Sequence, residues 1–138
     1  MTETVSTSTP PAVGTPDRTR ALVQAYYDSW KGGMATYDEA RLRSVLAPDL
    51  HFEGPIAGMR DGLEPFVVGL AGFVRALRAC QMVQQVYTGD EAAALYDCEL
   101  GAAGGTLRFA EFIRVQNGKI QEIRLLYDPS EFRRLMAA

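Results

Sequence analysis

Residues 105–116 read GTLRFAEFIRVQ, and their alternation is that of one long β-strand. Successive side chains of a strand point to opposite faces, so Leu107, Phe109, Glu111, Ile113 and Val115 share one side. Arg108, Ala110, Phe112, Arg114 and Gln116 share the other. A single carboxylate, Glu111, therefore stands in the apolar phase. Among apolar neighbours a carboxylate loses hydration and its pKa rises, which makes it a proton donor or acceptor near neutral pH unless a cation pairs with it. Two ordinary readings compete with that one: the face is half solvated, or Arg114 or Arg124 pairs with Glu111.

Outward from this strand the chain reads as further strands and then helices. Asn117-Gly118 is the strongest turn signal and pairs the strand with Lys119 to Tyr127. Upstream, Gly101 to Gly105 is a Gly/Ala turn, and Gln81 to Thr88 and Ala92 to Leu100 are β-rich runs separated by the hairpin signal Gly89-Asp90. Leu63 to Arg78 has the pattern of a helix that tolerates Pro65 in its first turn. Before it lie a loop from Gly54-Pro55 to Gly62 and a short strand from Leu50 to Gly54. Thr36 to Glu39 is a capping-box pattern leading a helix to about Leu46, closed by Pro48. The first helix starts with Thr15 as N-cap and Pro16 at its first position and runs to Trp30 before Gly32-Gly33. Asp128 and Glu131 cap a short last helix through Met136. Three helices followed by a meander of strands is an α+β pattern, with helices on one face of a curved antiparallel sheet.

Composition narrows the function classes. With 138 residues, 47% of them apolar and 22% charged, residues 15–138 fit one domain with a real core, and the Thr/Ser/Pro-rich residues 1–14 read as a disordered leader. A net charge of −3 gives no basic footprint, so nucleic acid is not an expected partner. One histidine excludes a histidine-rich metal site, and Cys80 and Cys98, without CxxC spacing, read as buried thiols in a reducing compartment. The longest uncharged apolar run, Pro65 to Val74, falls short of the ~20 residues of a membrane span, and no secretory signal is present, so a cytoplasmic location away from membranes is expected. There is no phosphate loop, dinucleotide fingerprint or metal-ligand cluster, and no cofactor is expected.

Three local motifs, taken in order, carry a resemblance: Leu22-Val23-Gln24-Ala25-Tyr26; Gly58-Met59-Arg60-Asp61-Gly62; and Asn117-Gly118-Lys119-Ile120 with Arg124 and Tyr127-Asp128-Pro129. Over about Pro16 to Arg134 the chain resembles the SnoaL-like and ketosteroid-isomerase-like families of the nuclear transport factor 2-like superfamily. The resemblance implies a cone-shaped curved sheet wrapped by three N-terminal helices, a deep apolar pocket between them, and a homodimer formed through the outer sheet face. Tyr26 falls where the isomerases keep the tyrosine of an oxyanion hole, and Glu111 where they keep a protonated aspartic acid. The isomerase base would fall at Gly54. Glu53 is adjacent but alternates to the face opposite Phe52 and Gly54, so it reaches a pocket only through a bulge. The limonene-epoxide-hydrolase-like pattern of two aspartates bridged by an arginine is absent: the strand reads Tyr96-Asp97-Cys98-Glu99, and Leu125 stands where the second aspartate would be.

The candidate catalytic residues are thus Tyr26 and Glu111 as donors to a developing oxyanion, with Glu53, and after it His51, as proton shuttle. Trp30, one helical turn from Tyr26, is a candidate for the pocket wall with Phe52, Phe73, Tyr96, Cys98, Phe109, Ile123, Leu125 and Tyr127, and Tyr127 is expected to hydrogen-bond Glu111. The leading expectation is a cofactor-independent isomerase, cyclase or dehydratase acting on a small, largely apolar carbonyl compound. A non-catalytic binder of an apolar metabolite and a dimerisation module with a vestigial pocket are the alternatives.

Overall fold

The structure, a computed structural model, describes residues 11–137. Its first helix, α1 (Pro11–Trp30), precedes α2 (Glu39–Val45), β1 (Leu46–Gly54), β2 (Gly58–Asp61), α3 (Leu63–Ala76), β3 (Leu77–Thr88), β4 (Glu91–Leu100), β5 (Gly105–Gln116), β6 (Lys119–Leu126) and α4 (Pro129–Ala137). The six strands form one open sheet in the order β2-β1-β6-β5-β4-β3. From β3 to β6 the strands run as an antiparallel meander, and at its tightest turn Asn117 and Gly118 both take positive φ, 54° and 74°. Irregular registers at Val83 in β3 and at Gln121 in β6, each an extra residue without a partner in the ladder, bend the sheet. The hollow so made receives α1, whose Val23, Tyr26, Tyr27 and Trp30 are buried against it.

Strand β5 alternates as its sequence does. Leu107, Phe109, Glu111, Ile113 and Val115 are buried, and the intervening residues are exposed or half-exposed.

Several boundaries and one topological feature differ from the sequence expectation. The sheet is mixed: β1 runs parallel to β6, pairing Phe52 with Ile123 and Glu53 with Arg124. Alternation reveals which side chains share a face and is silent on the direction of a partner far away in sequence. The three helices are not one N-terminal block, because β1 and β2 intervene between α2 and α3. Residues 58–61, read as loop, pair antiparallel with β1 as an edge strand. All four are exposed, so no apolar alternation marks them. α1 starts at Pro11 instead of at a Thr15 cap. Residues 11–14 are already helical, so Thr15 is not the cap and Pro16 lies inside the helix. Residues 1–10 of the expected leader lie outside the described residues. The second helix is capped by Asp38, which accepts a hydrogen bond from the Arg41 amide at 3.0 Å, and not by Thr36. Among the described residues no helix is long and apolar enough to cross a membrane.

Candidate functional site

Between the hollow of the sheet, α1 and α3 lies a cavity of about 670 Å³. Its walls are mainly aromatic and aliphatic, as befits a ligand site of this size. Tyr26 and Trp30 come from α1, Phe73 from α3, Phe52 from β1, Tyr96 from β4, Phe109 and Glu111 from β5, and Leu125 and Tyr127 from the end of the last strand. Each was a candidate from the sequence. Cys98 and Ile123 do not reach the cavity: both are fully buried in the core, and the Cys98 thiol sits against Cys80, its directly opposite residue in β3.

At the inner end of the cavity Glu111 is 2% exposed. Its Oε2 accepts from the Tyr26 hydroxyl at 2.7 Å, and its Oε1 accepts from Tyr27 at 2.8 Å and Tyr96 at 3.0 Å. Helix geometry explains why neighbours on α1 can do this. Residues 26 and 27 project about 100° apart, so two adjacent phenols straddle one carboxylate on the strand beneath. No cation among the described residues pairs with Glu111. Arg114 bonds Glu122 at 3.1 Å, and Arg124 bonds Glu122 at 2.9 Å and Glu53 at 3.6 Å. Burial pushes the Glu111 carboxyl above the ordinary glutamate value, and the three phenol hydrogen bonds pull it part of the way back. Burial and the facing carboxylate push all three phenols well above 10, so they remain donors throughout the physiological range. The Trp30 indole N–H is buried beside them with no accepting partner in hydrogen-bond geometry among the described residues. It faces the Tyr26 oxygen closely enough to oppose, weakly, the rise in that phenol's pKa.

The two shuttle candidates lie elsewhere. Glu53 is exposed on the opposite face of β1 and paired with Arg124, and His51 Nδ1 lies 2.7 Å from Asp61 Oδ1 on the same outward side. The irregularity in β1 precedes His51, so alternation runs unbroken through residues 51–54 and turns both side chains away from the cavity. Tyr127 lines the cavity without bonding Glu111, whose phenol partners are Tyr26, Tyr27 and Tyr96.

Sequence reasoning missed Tyr27 as a site residue, because at helical spacing a tyrosine reads as core. The available signal was the obligation of a buried phenol to find a partner, with Glu111 the only carboxylate in an apolar strand phase. It also missed the outer wall, where Ile56, Ala57, Arg60, Glu64 and Phe66 line the cavity. Those residues belong to the segment taken for a loop and to the start of α3. Among the described residues no group of three or more His, Cys, Asp or Glu side chains could hold a metal ion.

Comparison with known proteins agrees with this architecture. The family model described as the SnoaL-like domain matches residues 23–123. A solved structure provisionally named a SnoaL-like polyketide cyclase, from Jannaschia sp. CCS1, superposes with a TM-score of 0.74 at 14% identity, covering 96% of this chain and 98% of that one. A protein from Kribbella flavida DSM 17836, provisionally named a ketosteroid isomerase, gives 0.70 at 20% identity, covering 82% and 79%. An NTF2-like protein of unknown function from Cytophaga hutchinsonii gives 0.70 at 19% identity, covering 83% and 94%. At such identities the likeness is one of fold. No curated protein matches the sequence.

Proposed function

The chain belongs to the SnoaL-like family, and from that premise we propose that it is a cofactor-independent enzyme for a small, largely apolar carbonyl compound, moving a proton through an enol or enolate. The observation that carries the proposal is Glu111: a buried carboxyl with no cationic partner among the described residues, at the inner end of an aromatic cavity, held by three phenols. Its ionised form takes a proton from the carbon next to the carbonyl. Once neutral it no longer draws three donors, and the Tyr26 hydroxyl is released to hydrogen-bond the enolate oxygen. A preorganised donor of this kind is worth about 3–4 kcal/mol where charge develops. The proton then returns to another carbon in an isomerisation. In a cyclisation the enolate attacks a second carbonyl and the Glu111 proton goes to the alkoxide so formed; in a dehydration the enolate expels a β-hydroxyl, which takes that proton and leaves as water. Glu53 and His51, turned outward, take no part in this scheme.

A second reading, a binding protein without turnover, is favoured by one specific feature. Around Glu111 the cavity wall is tightly packed: Tyr26, Trp30, Tyr96, Phe109 and Glu111 each expose no more than 2% of their surface. The two readings separate in deuterium oxide. Apolar ketones and enones that bind should exchange the hydrogens next to the carbonyl, followed by proton NMR, and Glu111→Gln should abolish exchange while keeping binding. Binding without exchange in the wild type would establish the second reading.

A second copy of this chain is the partner that the family resemblance implies. On the outer sheet face Val86, Phe112 and Leu126 are exposed, which supports a dimer through that face, and sedimentation of the wild type beside Phe112→Asp tests it.

A further inference from the structure

We infer that the ligand of this cavity is an amphiphile whose outer end carries an anionic group, a carboxylate or its equivalent, held by Arg60. The inference rests on the reading of the cavity as a ligand site and adds the chemical class of the ligand. Arg60 is the one cationic side chain lining the cavity among the described residues. Its backbone position explains its direction. On β2 it stands directly opposite Phe52 of β1, and opposed residues of antiparallel strands share a face, so both point into the hollow.

The charges around Arg60 leave its guanidinium unanswered. Asp61, its neighbour on the other face of β2, meets His51 at 2.7 Å. Glu64, which also lines the cavity, turns both oxygens to Arg43, at 2.6 and 3.0 Å. Glu53 pairs with Arg124. Arg60 itself donates only through Nε, to the Ala57 carbonyl at 3.2 Å, so both Nη groups lack a protein partner among the described residues. That single bond fixes the stem of the guanidinium and leaves its fork open, the geometry that receives two carboxylate oxygens side by side.

The surroundings suit an amphiphile. Ile56 and Val68, 42% and 69% exposed, form an apolar rim beside Arg60. Sheet order sets the scale. Between β2 and β5 lie β1 and β6, so Arg60 and Glu111 are three strand spacings apart, about 14 Å across the strands, and Glu111 lies two residues along β5 from Ile113, the residue in register with Arg60. The side chains reach toward each other from both ends, and a molecule a few rings long fits between them. It would present its carbonyl to the Tyr26–Glu111 end and its anion to Arg60.

Two fluorescent dyes of one shape separate the parts of this inference: neutral phenylnaphthylamine and its sulfonated relative anilinonaphthalene sulfonate. The wild type is expected to bind both, in mutual competition. Arg60→Gln should weaken the sulfonate dye about tenfold and the neutral dye less than about twofold, and Arg60→Lys should restore part of the loss. Equal losses for the two dyes, or no loss for either, overturn the role of Arg60. The cavity reading has its own control at Gly69, which lines the cavity and where an added side chain would meet open space. Gly69→Phe should exclude both dyes, and undiminished neutral-dye binding in that variant overturns the cavity as the site.

Discussion

Two faces of one sheet carry carboxylates in opposite circumstances. On the outer face Glu53, Glu122 and Asp97 each meet an arginine: Arg124 joins the first two, Arg114 also meets Glu122, and Arg108 grips Asp97 at 2.8 and 2.9 Å. On the inner face Glu111 meets no cation among the described residues and is satisfied by three phenols instead. Strand β5 holds both arrangements within a few residues, since Arg108 and Arg114 stand in the phase opposite to Glu111. Parity along the strand alone sends an ionisable group to water or to the core. Exposed pairs add little stability, because water and salt already screen the charges and the long side chains lose freedom in pairing. A buried carboxyl depends on its hydrogen bonds, and its proton becomes responsive to them.

The sharpest way to break this contrast is to remove the inner carboxyl. Glu111→Leu strands three buried phenols and is expected to cost on the order of 3–5 kcal/mol in urea unfolding. A loss as small as that of Asp97→Asn would mean that the two faces are alike.

The next effect is one of pH. The folded Glu111 holds its proton more tightly than the unfolded chain does, so its contribution to stability is fully present below the ordinary glutamate pKa. That contribution is lost as pH rises through the higher folded value. Relative to Glu111→Gln, which does not titrate, wild-type stability should therefore fall on going from pH 4 toward neutrality. Paired urea curves at several pH values check this, and a rise would reverse the sign of the shift.

Removing single phenols refines the picture. Tyr27→Phe and Tyr96→Phe should each cost about 1–2 kcal/mol and raise the Glu111 pKa further, because each deletes a donor that favours the ionised form. Tyr26→Phe should do the same to the pKa and in addition abolish exchange of ketone hydrogens. The smallest effect belongs to the outer face, where Asp97→Asn should leave the unfolding midpoint almost unchanged and any residual difference should vanish in high salt.

Much of this contrast was legible in the sequence because parity is local. GTLRFAEFIRVQ alone places Glu111 inward and Arg108 and Arg114 outward, and Asn117-Gly118 alone closes the β5–β6 hairpin. What was hidden depends on partners distant in sequence. The parallel pairing of β1 with β6 joins segments some seventy residues apart, and no pattern within either records it. β2 lies at the sheet edge with every residue exposed, so it lacks the alternation that reveals a strand. With it went Arg60, whose direction follows only from its pairing with Phe52. Tyr27 was concealed by its spacing on α1, which suits core and site equally. Glu53 is the reverse case: strict alternation had already turned it away from Phe52, and the structure keeps it there.

The most direct test of the inner face is the pKa of Glu111 itself, read by NMR titration of its carboxyl carbon, with Glu111→Gln to assign the signal. The expected result is a titration clearly above the ~4.3 of a free glutamate, moving higher still in Tyr26→Phe. A value at or below that reference would contradict the account. It would mean that the phenols hold Glu111 as a permanently ionised structural group with no proton to give or take.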